Sequence, residues 1–281
     1  LEYIEYIFNS DDDPVLRLVS DNSLVPDYGV HFFAGTSDND IIDGGTADTI
    51  SVTGYDGNDT ITGSPGRDFI DGNSGDDQIN GGDGNDILIG SAGNDTITFV
   101  AVSANSNTVK GGDGKDSINF NASTDAEKGL INAGSGADTI NLTLGIASAT
   151  SVYGGEGNDS IVASGVSDGG SNISDAGAGA DTVFFQSAEV DTVSASTIAG
   201  GAGSDSILIQ AMSAGVIQSG FIQGGAGNDT ITITDLQAAG SAGVVGSTVK
   251  GGAGADSITV SAVGAGGGSA TFAYTTFNQS T

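Results

Sequence analysis

The 281-residue chain contains no cysteine, no tryptophan, one methionine and one histidine. Without cysteine it can form no disulfide bond, no thiolate nucleophile and no Cys/His zinc site. The single histidine, His31, lies in an apolar stretch and has no nucleophile or second base in a catalytic motif around it, so we interpret it as a strand residue. We therefore expect that this chain is not an enzyme.

Basic residues are also scarce, since Lys and Arg total 6 against 36 Asp and Glu, which gives a net charge of -30. Nucleic acid and anionic membrane surfaces are excluded as direct partners, because both require clustered Lys and Arg. No apolar run approaches the roughly 18 residues that a membrane span needs. Of the acids, 31 are aspartate and 5 are glutamate. This preference for the shorter carboxylate favours turns and sites for hard cations.

Proline is rare, with 3 residues, whereas glycine is abundant, with 48. Collagen requires a three-residue glycine period together with much proline, and this sequence has neither. Disorder is not expected, because 37% of the residues are hydrophobic and Ile, Val and Thr recur between the glycines. The composition therefore indicates an ordered, acidic chain whose natural partner is a divalent cation.

A nine-residue repeat organises most of the chain. Four consecutive copies run from Gly63 to Thr98, with the sequences GSPGRDFID, GNSGDDQIN, GGDGNDILI and GSAGNDTIT. The repeat resembles the RTX, or haemolysin-type calcium-binding, nonapeptide G-G-x-G-x-D-x-U-x, in which U is a large apolar residue. The resemblance covers about residues 35–259, and its specificity comes from the number of copies in register.

The sixth position of the repeat is an aspartate, and these aspartates are the predicted metal ligands. In the RTX fold two nonapeptides form one coil of a parallel β-roll, so successive turns lie on opposite edges. One edge, here called the long edge, is predicted to carry Asp40, Asp59, Asp77, Asp95, Asp116, Asp138, Asp159, Asp181, Asp205, Asp229 and Asp256. The opposite, short edge is predicted to carry Asp48, Asp68 and Asp86, after which variable loops replace the motif turns.

The resemblance and the spacing together predict an all-β fold, a right-handed parallel β-roll or β-solenoid with GGxGxD turns. The steps between long-edge aspartates grow from 18 to 27 residues, so the coils lengthen along the chain. A β-branched residue follows two positions after each long-edge aspartate, from Ile42 to Ile258, as expected for an inward-facing strand position. On the returning strand Ser174 takes a core position beside Ile173, which predicts a local bulge.

The chemistry of the turn suits calcium. Glycines let successive carbonyl oxygens point to one side, and Ca²⁺ accepts six to eight oxygen ligands in irregular geometry, whereas Mg²⁺ demands a near-octahedral arrangement. We expect about ten to twelve Ca²⁺ between stacked turns. The predicted ligands are the aspartates above together with the motif glycines Gly112, Gly114, Gly155, Gly157, Gly201, Gly203, Gly225, Gly227, Gly252 and Gly254.

Individual turns depart from the motif. Asp38 replaces the fourth-position glycine before Asp40, and the turn before Asp48 is one residue short, so these two sites match least well. For any single turn, the alternative is an aspartate that only caps its own backbone. Because coils stack about 4.8 Å apart, uncompensated aspartates would repel one another, and folding is expected to require the metal.

The chain is predicted to comprise four segments. Residues 1–34 lack the motif and form an N-terminal cap or the end of a preceding domain, and residues 35–98 form the nonapeptide β-roll. Residues 99–260 form a long-coil calcium solenoid continuous with it, and residues 261–281 form a C-terminal strand or tail. Val162, Phe184 and Leu208 are predicted to form an outward apolar ridge that needs covering by a neighbouring subunit or a loop.

The RTX resemblance implies an extracellular protein exported by a type I secretion system. Because the family is functionally broad, the fold alone does not select the function. Our leading hypothesis is a structural protein that self-assembles into a surface layer or filament on the bacterial cell surface, with calcium, copies of itself and a cell-surface glycan or other anchor as partners. The alternative is a calcium-binding secretion or folding module of a larger type I-secreted enzyme, toxin or adhesin.

Overall fold

The architecture is that of a computed structural model, which describes residues 3–8, 14–19, 31–45, 49–101, 106–122, 128–143, 150–166, 173–187, 192–194, 197–211, 216–218, 221–235, 244–245 and 248–262. Every regular element in these residues is a β-strand. The strands are β1 (Tyr3–Phe8), β2 (Pro14–Val19), β3 (His31–Ala34), β4 (Ile41–Asp43), β5 (Ile50–Asp56), β6 (Thr60–Thr62), β7 (Phe69–Ser74), β8 (Gln78–Asn80), β9 (Ile87–Ala92), β10 (Thr96–Ala101), β11 (Ser106–Asp113), β12 (Ser117–Ala122), β13 (Lys128–Ser135), β14 (Thr139–Thr143), β15 (Ser151–Glu156), β16 (Ser160–Val166), β17 (Ile173–Ala178), β18 (Thr182–Ser187), β19 (Thr192–Ser194), β20 (Thr197–Ala202), β21 (Ser206–Ala211), β22 (Val216–Gln218), β23 (Phe221–Ala226), β24 (Thr230–Asp235), β25 (Val244–Val245), β26 (Thr248–Ala253) and β27 (Ser257–Ala262).

The strands form two long sheets and one short sheet. Sheet A has 13 strands in the order β1-β2-β4-β6-β8-β10-β12-β14-β16-β18-β21-β24-β27. Sheet B has 11 strands in the order β26-β23-β20-β17-β15-β13-β11-β9-β7-β5-β3. Apart from the antiparallel pair β1–β2, the neighbours in both sheets are parallel. The predicted all-β solenoid is confirmed: each coil passes from sheet B through a long-edge turn to sheet A, and returns along the short edge.

Side-chain alternation places the core between sheets A and B. Strand β5 shows it, since Ile50 and Val52 are buried while Ser51 and Thr53 are partly exposed. Equivalent residues stack from coil to coil in exact register, so that Phe99 pairs with Phe120 and their rings lie 4.5 Å apart, nearly parallel. Burying one such large apolar side chain contributes about 1.5–3 kcal/mol, and every coil repeats the contribution.

The predicted bulge at Ser174 is wrong. Ser174 pairs in register with Val152 on one side and Ile198 on the other, and its side chain is buried in the core. A register shift occurs in sheet A instead, between Ser164 and Val166. The serine is small enough to replace a branched residue without moving the backbone, although its hydroxyl has no hydrogen-bond partner there.

A third sheet was not predicted from the sequence. Strands β19, β22 and β25 pair in parallel in the order β19-β22-β25, and each comes from the short-edge side of a long coil. Where the early coils have a tight motif turn on the short edge, these later coils thus insert an additional strand. The growth in coil length is taken up on this side of the solenoid.

The N-terminal strands extend sheet A at one end. Strand β2 pairs with β1 in antiparallel orientation and with β4 in parallel orientation, so the hairpin adds two strands to the first coil. The interpretation of residues 1–34 as a cap stays a prediction, as do the other segment boundaries. Within the part of the chain that the structure describes, no helix is long and apolar enough to cross a membrane.

Candidate metal-binding turns

The eleven predicted long-edge aspartates form one continuous row. The backbone N–H of each aspartate donates a hydrogen bond to the carboxylate Oδ1 of the aspartate in the next coil, with N···O distances between 2.7 and 3.1 Å. The row begins with Asp40 donating to Asp59 and ends with Asp229 donating to Asp256. The structure therefore brings together the residues that the repeat predicted, on one edge and in one register.

The second carboxylate oxygen of most of these aspartates is buried and has no hydrogen-bond partner. The residues with such an Oδ2 are Asp59, Asp77, Asp95, Asp116, Asp138, Asp159, Asp181, Asp205 and Asp229 on the long edge and Asp86 on the short edge. Each of these side chains is at most 2% exposed. A buried carboxylate without a counter-charge is strongly unfavourable, so this row of oxygens points to bound cations.

Glycine at two motif positions lets the turns stack closely. Gly155 and Gly157 have φ of 119° and 123°, in the region that favours glycine. A Cβ on Gly155 would lie 1.9 Å from the carbonyl oxygen of Gly134, and one on Gly157 would lie 1.7 Å from that of Gly136. Carbonyl oxygens of one coil therefore abut the glycine Cα atoms of the next.

The first motif position adds a carbonyl oxygen close to the unpartnered carboxylate oxygen. The point where Gly154 would carry a Cβ lies 2.6 Å from Asp159 Oδ2 and 2.3 Å from the carbonyl oxygen of Ala176 in the next coil. Alanine occupies this first position at Ala133 and Ala176, both fully buried, so a methyl group is accepted there. The same arrangement recurs at Gly54, Gly90, Gly111, Gly200 and Gly224, so these long-edge turns offer a carboxylate oxygen next to a backbone carbonyl oxygen.

This set of donors fits Ca²⁺. Nowhere in the described residues do three acidic or histidine side chains converge on one point, so a cation in these turns would need backbone carbonyls as most of its ligands. Mixed carboxylate and carbonyl oxygens in irregular geometry are what Ca²⁺ accepts, whereas Zn²⁺ prefers nitrogen and sulfur.

Burial makes the ionised carboxylates unfavourable when no cation is bound. Burial raises the pKa to about 6 for Asp77, Asp95, Asp116, Asp138 and Asp181. The same cause raises the pKa of Asp86 to about 7, although the N–H of Asp68 lowers it in part. Neighbouring carboxylates add a smaller upward effect. Burial and the repulsion between neighbouring carboxylates therefore destabilise the ionised row, and bound positive charge would stabilise it.

The short edge has a much shorter row. Ile50 N–H donates to Asp68 Oδ1 at 2.8 Å, Asp68 N–H to Asp86 Oδ1 at 2.9 Å, and Asp86 N–H to Asn107 Oδ1 at 2.7 Å. Ile50 thus stands one coil before Asp68 in this row, while Asp48 lies outside the described residues.

Asn107 was missed by the sequence reasoning. It is buried, and it stands two residues before the core residue Val109, as Asp86 stands two residues before Leu88. The offset from the core column could have identified it, because strand register fixes both positions together.

Two turns differ from the others in how the carboxylate is satisfied. In the first long-edge turn, Thr36 N–H donates to Asp40 Oδ2 at 2.5 Å. In the short-edge turn of Asp68, Ser64 N–H donates to Oδ2 at 2.6 Å and the Ser64 hydroxyl donates to Oδ1 at 2.7 Å. In these two turns the alternative of self-capping, which the sequence left open, describes the observed hydrogen bonds.

The comparison with known proteins agrees with the repeat. The chain matches the family described as the RTX calcium-binding nonapeptide repeat (4 copies) over residues 53–88, 80–98, 100–125 and 219–232. No curated protein and no solved structure matches the chain. The matched segments contain the turns of Asp59, Asp77, Asp95, Asp116 and Asp229, whose Oδ2 atoms are buried without a partner. The chain is therefore a protein with RTX calcium-binding nonapeptide repeats.

Proposed function

We propose that this chain is an extracellular, calcium-dependent structural protein whose coils are held together by Ca²⁺ bound between stacked turns. The observation that carries the proposal is the row of buried Oδ2 atoms without a hydrogen-bond partner, nine on the long edge and one on the short edge. A structural role requires that this buried negative charge be compensated along the whole edge. The proposal assigns the chain no catalytic step.

The ligands of each ion would come from two adjacent turns. In the turn of Asp159 the candidates are Oδ2 of that residue, the carbonyl oxygens of the motif glycines Gly155 and Gly157, and the carbonyl oxygen of Ala176 in the next coil. Bound Ca²⁺ would supply the positive charge that the buried carboxylates lack. The corresponding glycines of the other long coils, among them Gly112, Gly201, Gly225 and Gly252, have the same positive φ.

Coil stacking and metal binding would form one equilibrium. The chain carries a net charge of -30 and places one buried aspartate per coil on the long edge. At the β spacing of about 4.8 Å these charges repel, so the metal-free coils would separate. Because calcium is abundant outside the cell, we include type I secretion and an extracellular location in the proposal, with folding after export.

Circular dichroism with calcium titration tests this proposal. We expect the chain to lose its β-sheet signal in excess EDTA and to regain it cooperatively when Ca²⁺ is added, while equal Mg²⁺ restores much less. A β-sheet spectrum that is the same in EDTA and in calcium would contradict the proposal.

We further propose that the folded solenoid assembles with copies of itself into a surface layer or filament. The supporting observation is the apolar ridge on the outer face of sheet A, where Val162, Phe184 and Leu208 follow one another in register and are half-buried. On sheet B, Phe69 and Leu130 are each about 40% exposed. Apolar surface on two faces favours lateral packing of chains, with a glycan or other surface anchor as a further partner.

Electron microscopy and sedimentation in calcium test the assembly. We expect ordered sheets or filaments in millimolar Ca²⁺, and we expect the double substitution Phe184→Ser and Leu208→Ser to reduce them while the circular-dichroism spectrum is kept. The matched control is Thr232→Ser, the next position of the same column. A chain that folds with calcium but stays monomeric would instead favour the alternative, a folding module of a larger secreted enzyme, toxin or adhesin.

A further inference from the structure

The motif turns fall into two types according to the φ angle of the residue at the second motif position. In open turns this residue has a positive φ, and the Oδ2 of the aspartate four residues later accepts no hydrogen bond. In closed turns φ at this position is not positive, and its N–H donates to Oδ2. The closed turns are Thr36–Asp40 and Ser64–Asp68, and the other described motif turns are open.

Glycine is not what separates the two types. Tyr55, Asn73 and Ser91 occupy the second position of three long-edge turns and have φ of 79°, 71° and 86°. The aspartates of these turns, Asp59 and Asp77 among them, keep a buried Oδ2 without a partner. The direction of the peptide N–H, and not the residue type, therefore decides whether the carboxylate is left for a cation.

The closed turn of Asp68 satisfies its carboxylate without a cation. Oδ2 accepts the N–H of Ser64, and Oδ1 accepts the Ser64 hydroxyl and the N–H of Ile50. Three donors around one buried carboxylate stabilise its charge, as in carboxylates that cap a turn. The partial positive charge of the Ser64 N–H also points at the oxygen that a cation would use.

The next turn of the short edge, that of Asp86, is open. Gly82 has φ of 79°, and Asp86 Oδ2 is buried without a partner. A Cβ on Gly84 would lie 1.8 Å from the carbonyl oxygen of Gly66, so this turn stacks on the preceding one as closely as the long-edge turns do. At its first motif position, Gly81, the point where a Cβ would lie is 3.1 Å from Asp86 Oδ2, and its other two nearest atoms belong to Leu88, whereas the same point at Gly154 meets a carbonyl oxygen of the next coil. Asp86 therefore offers an unpartnered carboxylate oxygen, with the carbonyl oxygens of its own turn and of the preceding turn as candidate further ligands.

Asn107 ends the short-edge row one coil later. Its Oδ1 accepts the N–H of Asp86, as the Oδ1 of an aspartate would. The remaining side-chain group is an NH₂, which donates hydrogen bonds and cannot bind a cation. In the same coil sheet A continues through Phe99 to Ala101, whereas in the preceding coil the turn begins at Gly81, the residue equivalent to Phe99.

We propose that the described short edge binds a single cation, at Asp86, bounded by the closed turn of Asp68 and by the neutral amide of Asn107. By the same geometry the long-edge row of cations begins at Asp59, because the turn of Asp40 is closed. The inference rests on the proposed calcium-binding function.

The number of bound ions tests the inference. Calcium bound per chain is measured by calorimetric titration and by metal analysis after removal of free ion, for the wild type, Asp68→Asn, Asp86→Asn and Ser64→Gly. We expect Asp68→Asn to leave the count unchanged and Asp86→Asn to lower it by one. Asp77→Asn, on the long edge of the coil between them, is the control for an open-turn aspartate and lowers the count.

Ser64→Gly is expected to create a calcium site in the turn of Asp68. It converts GSPGRD into GGPGRD, the full motif, removes the hydroxyl donor and lets the turn adopt a positive φ. We expect one additional bound ion. Circular dichroism in saturating calcium shows whether each variant is folded.

The outcomes separate the inference from the function on which it rests. Loss of an ion in Asp68→Asn, or an unchanged count in Asp86→Asn, would overturn the inference. A wild-type chain that binds no calcium would overturn the proposed function instead.

Discussion

The two edges of the solenoid differ in how far they keep the same repeat. On the long edge an aspartate turn recurs in every coil from Asp40 to Asp256, and the backbone N–H of each aspartate bonds to the next carboxylate. On the short edge the described row stops at Asn107, and later coils insert strands β19, β22 and β25 on that side. One edge is kept constant while the other varies.

The difference shows what keeps coils of unequal length in register. The spacing of long-edge aspartates grows from 18 to 27 residues, yet sheets A and B pair position by position through the last described coil. The stack is therefore fixed by the two strands that flank each long-edge turn and by that turn itself. Extra residues on the short edge leave this unit unchanged, as expected where each repeat contacts only its neighbours.

An insertion in a long-edge turn is expected to have the largest effect on stability. Two residues, Gly-Ser, placed after Gly157 would lengthen a long-edge turn and displace Asp159 from its place in the row. We expect β16 to lose its register with β14, and the unfolding free energy in calcium to fall by more than about 4 kcal/mol, measured by urea unfolding followed by circular dichroism.

The same Gly-Ser insertion after Ala147 is the matched control, because it falls on the short-edge side of the neighbouring coil. The insertion lengthens the connection between β14 and β15, and lengthening a connection costs little entropy, so we expect a change of at most about 1 kcal/mol. Equal losses for the two insertions would mean that both edges constrain the stack.

A single methyl group tests the close stacking of the long-edge turns. Gly157→Ala places a Cβ at a φ of 123° and 1.7 Å from the carbonyl oxygen of Gly136, so the coils must move apart. We expect a loss of about 4 kcal/mol in urea unfolding. Gly129→Ala is the control, because a Cβ there would meet no atom closer than 3.6 Å, and a loss as large there would show that the close stacking of the turns is not the cause.

Removing one long-edge carboxylate is expected to have the next largest effect. Asp159→Ala leaves the buried N–H of Asp138 without its 2.9 Å acceptor and deletes a proposed calcium ligand. We expect a loss of about 3 kcal/mol and lower cooperativity of calcium binding.

The adjacent residue provides the control for that substitution. Asn158 lies on the same turn, is exposed, and accepts the N–H of Ala180 at 2.8 Å. Because water can replace this bond, we expect Asn158→Ala to lose at most about 1 kcal/mol. If both variants bound calcium like the wild type, the long-edge row could not be the binding site.

Much of this architecture could be predicted from the sequence because the repeat fixes spacing. The sixth-position aspartates and the core residues two positions later, such as Asp138 and Ile140, fall in their predicted places. The two signals are independent, since one depends on a polar turn and the other on an apolar strand, and they agree in register. The family match is consistent with both.

The rest depends on backbone detail that the repeat does not encode. Ser64 and Ser91 occupy the same motif position, yet only Ser91 has a positive φ, so residue type did not distinguish the closed turn. The third sheet comes from segments without glycine turns at fixed spacing. At Ser174 the strand register outweighed the preference for an apolar side chain, because the neighbouring strands hold the backbone on both sides.

The effect of pH should have opposite signs with and without calcium. Without metal, burial raises the pKa of the long-edge aspartates, to about 6 for Asp77 and Asp95, from 3.8. Between these values the folded chain binds more protons than the unfolded chain, so its stability falls as the pH rises and increases as the pH is lowered. With calcium bound, protons compete with the ions, and lowering the pH destabilises the coils.

Circular dichroism in EDTA and in calcium, each at about pH 7.5 and about pH 4.5, measures the direction of the pH effect on folding with and without the metal. We expect the β-sheet signal in EDTA to be larger at the lower pH, and the calcium-dependent gain to shrink there. A β-sheet signal in EDTA that is smaller at the lower pH, or a calcium-dependent gain that is larger there, would contradict the opposite signs.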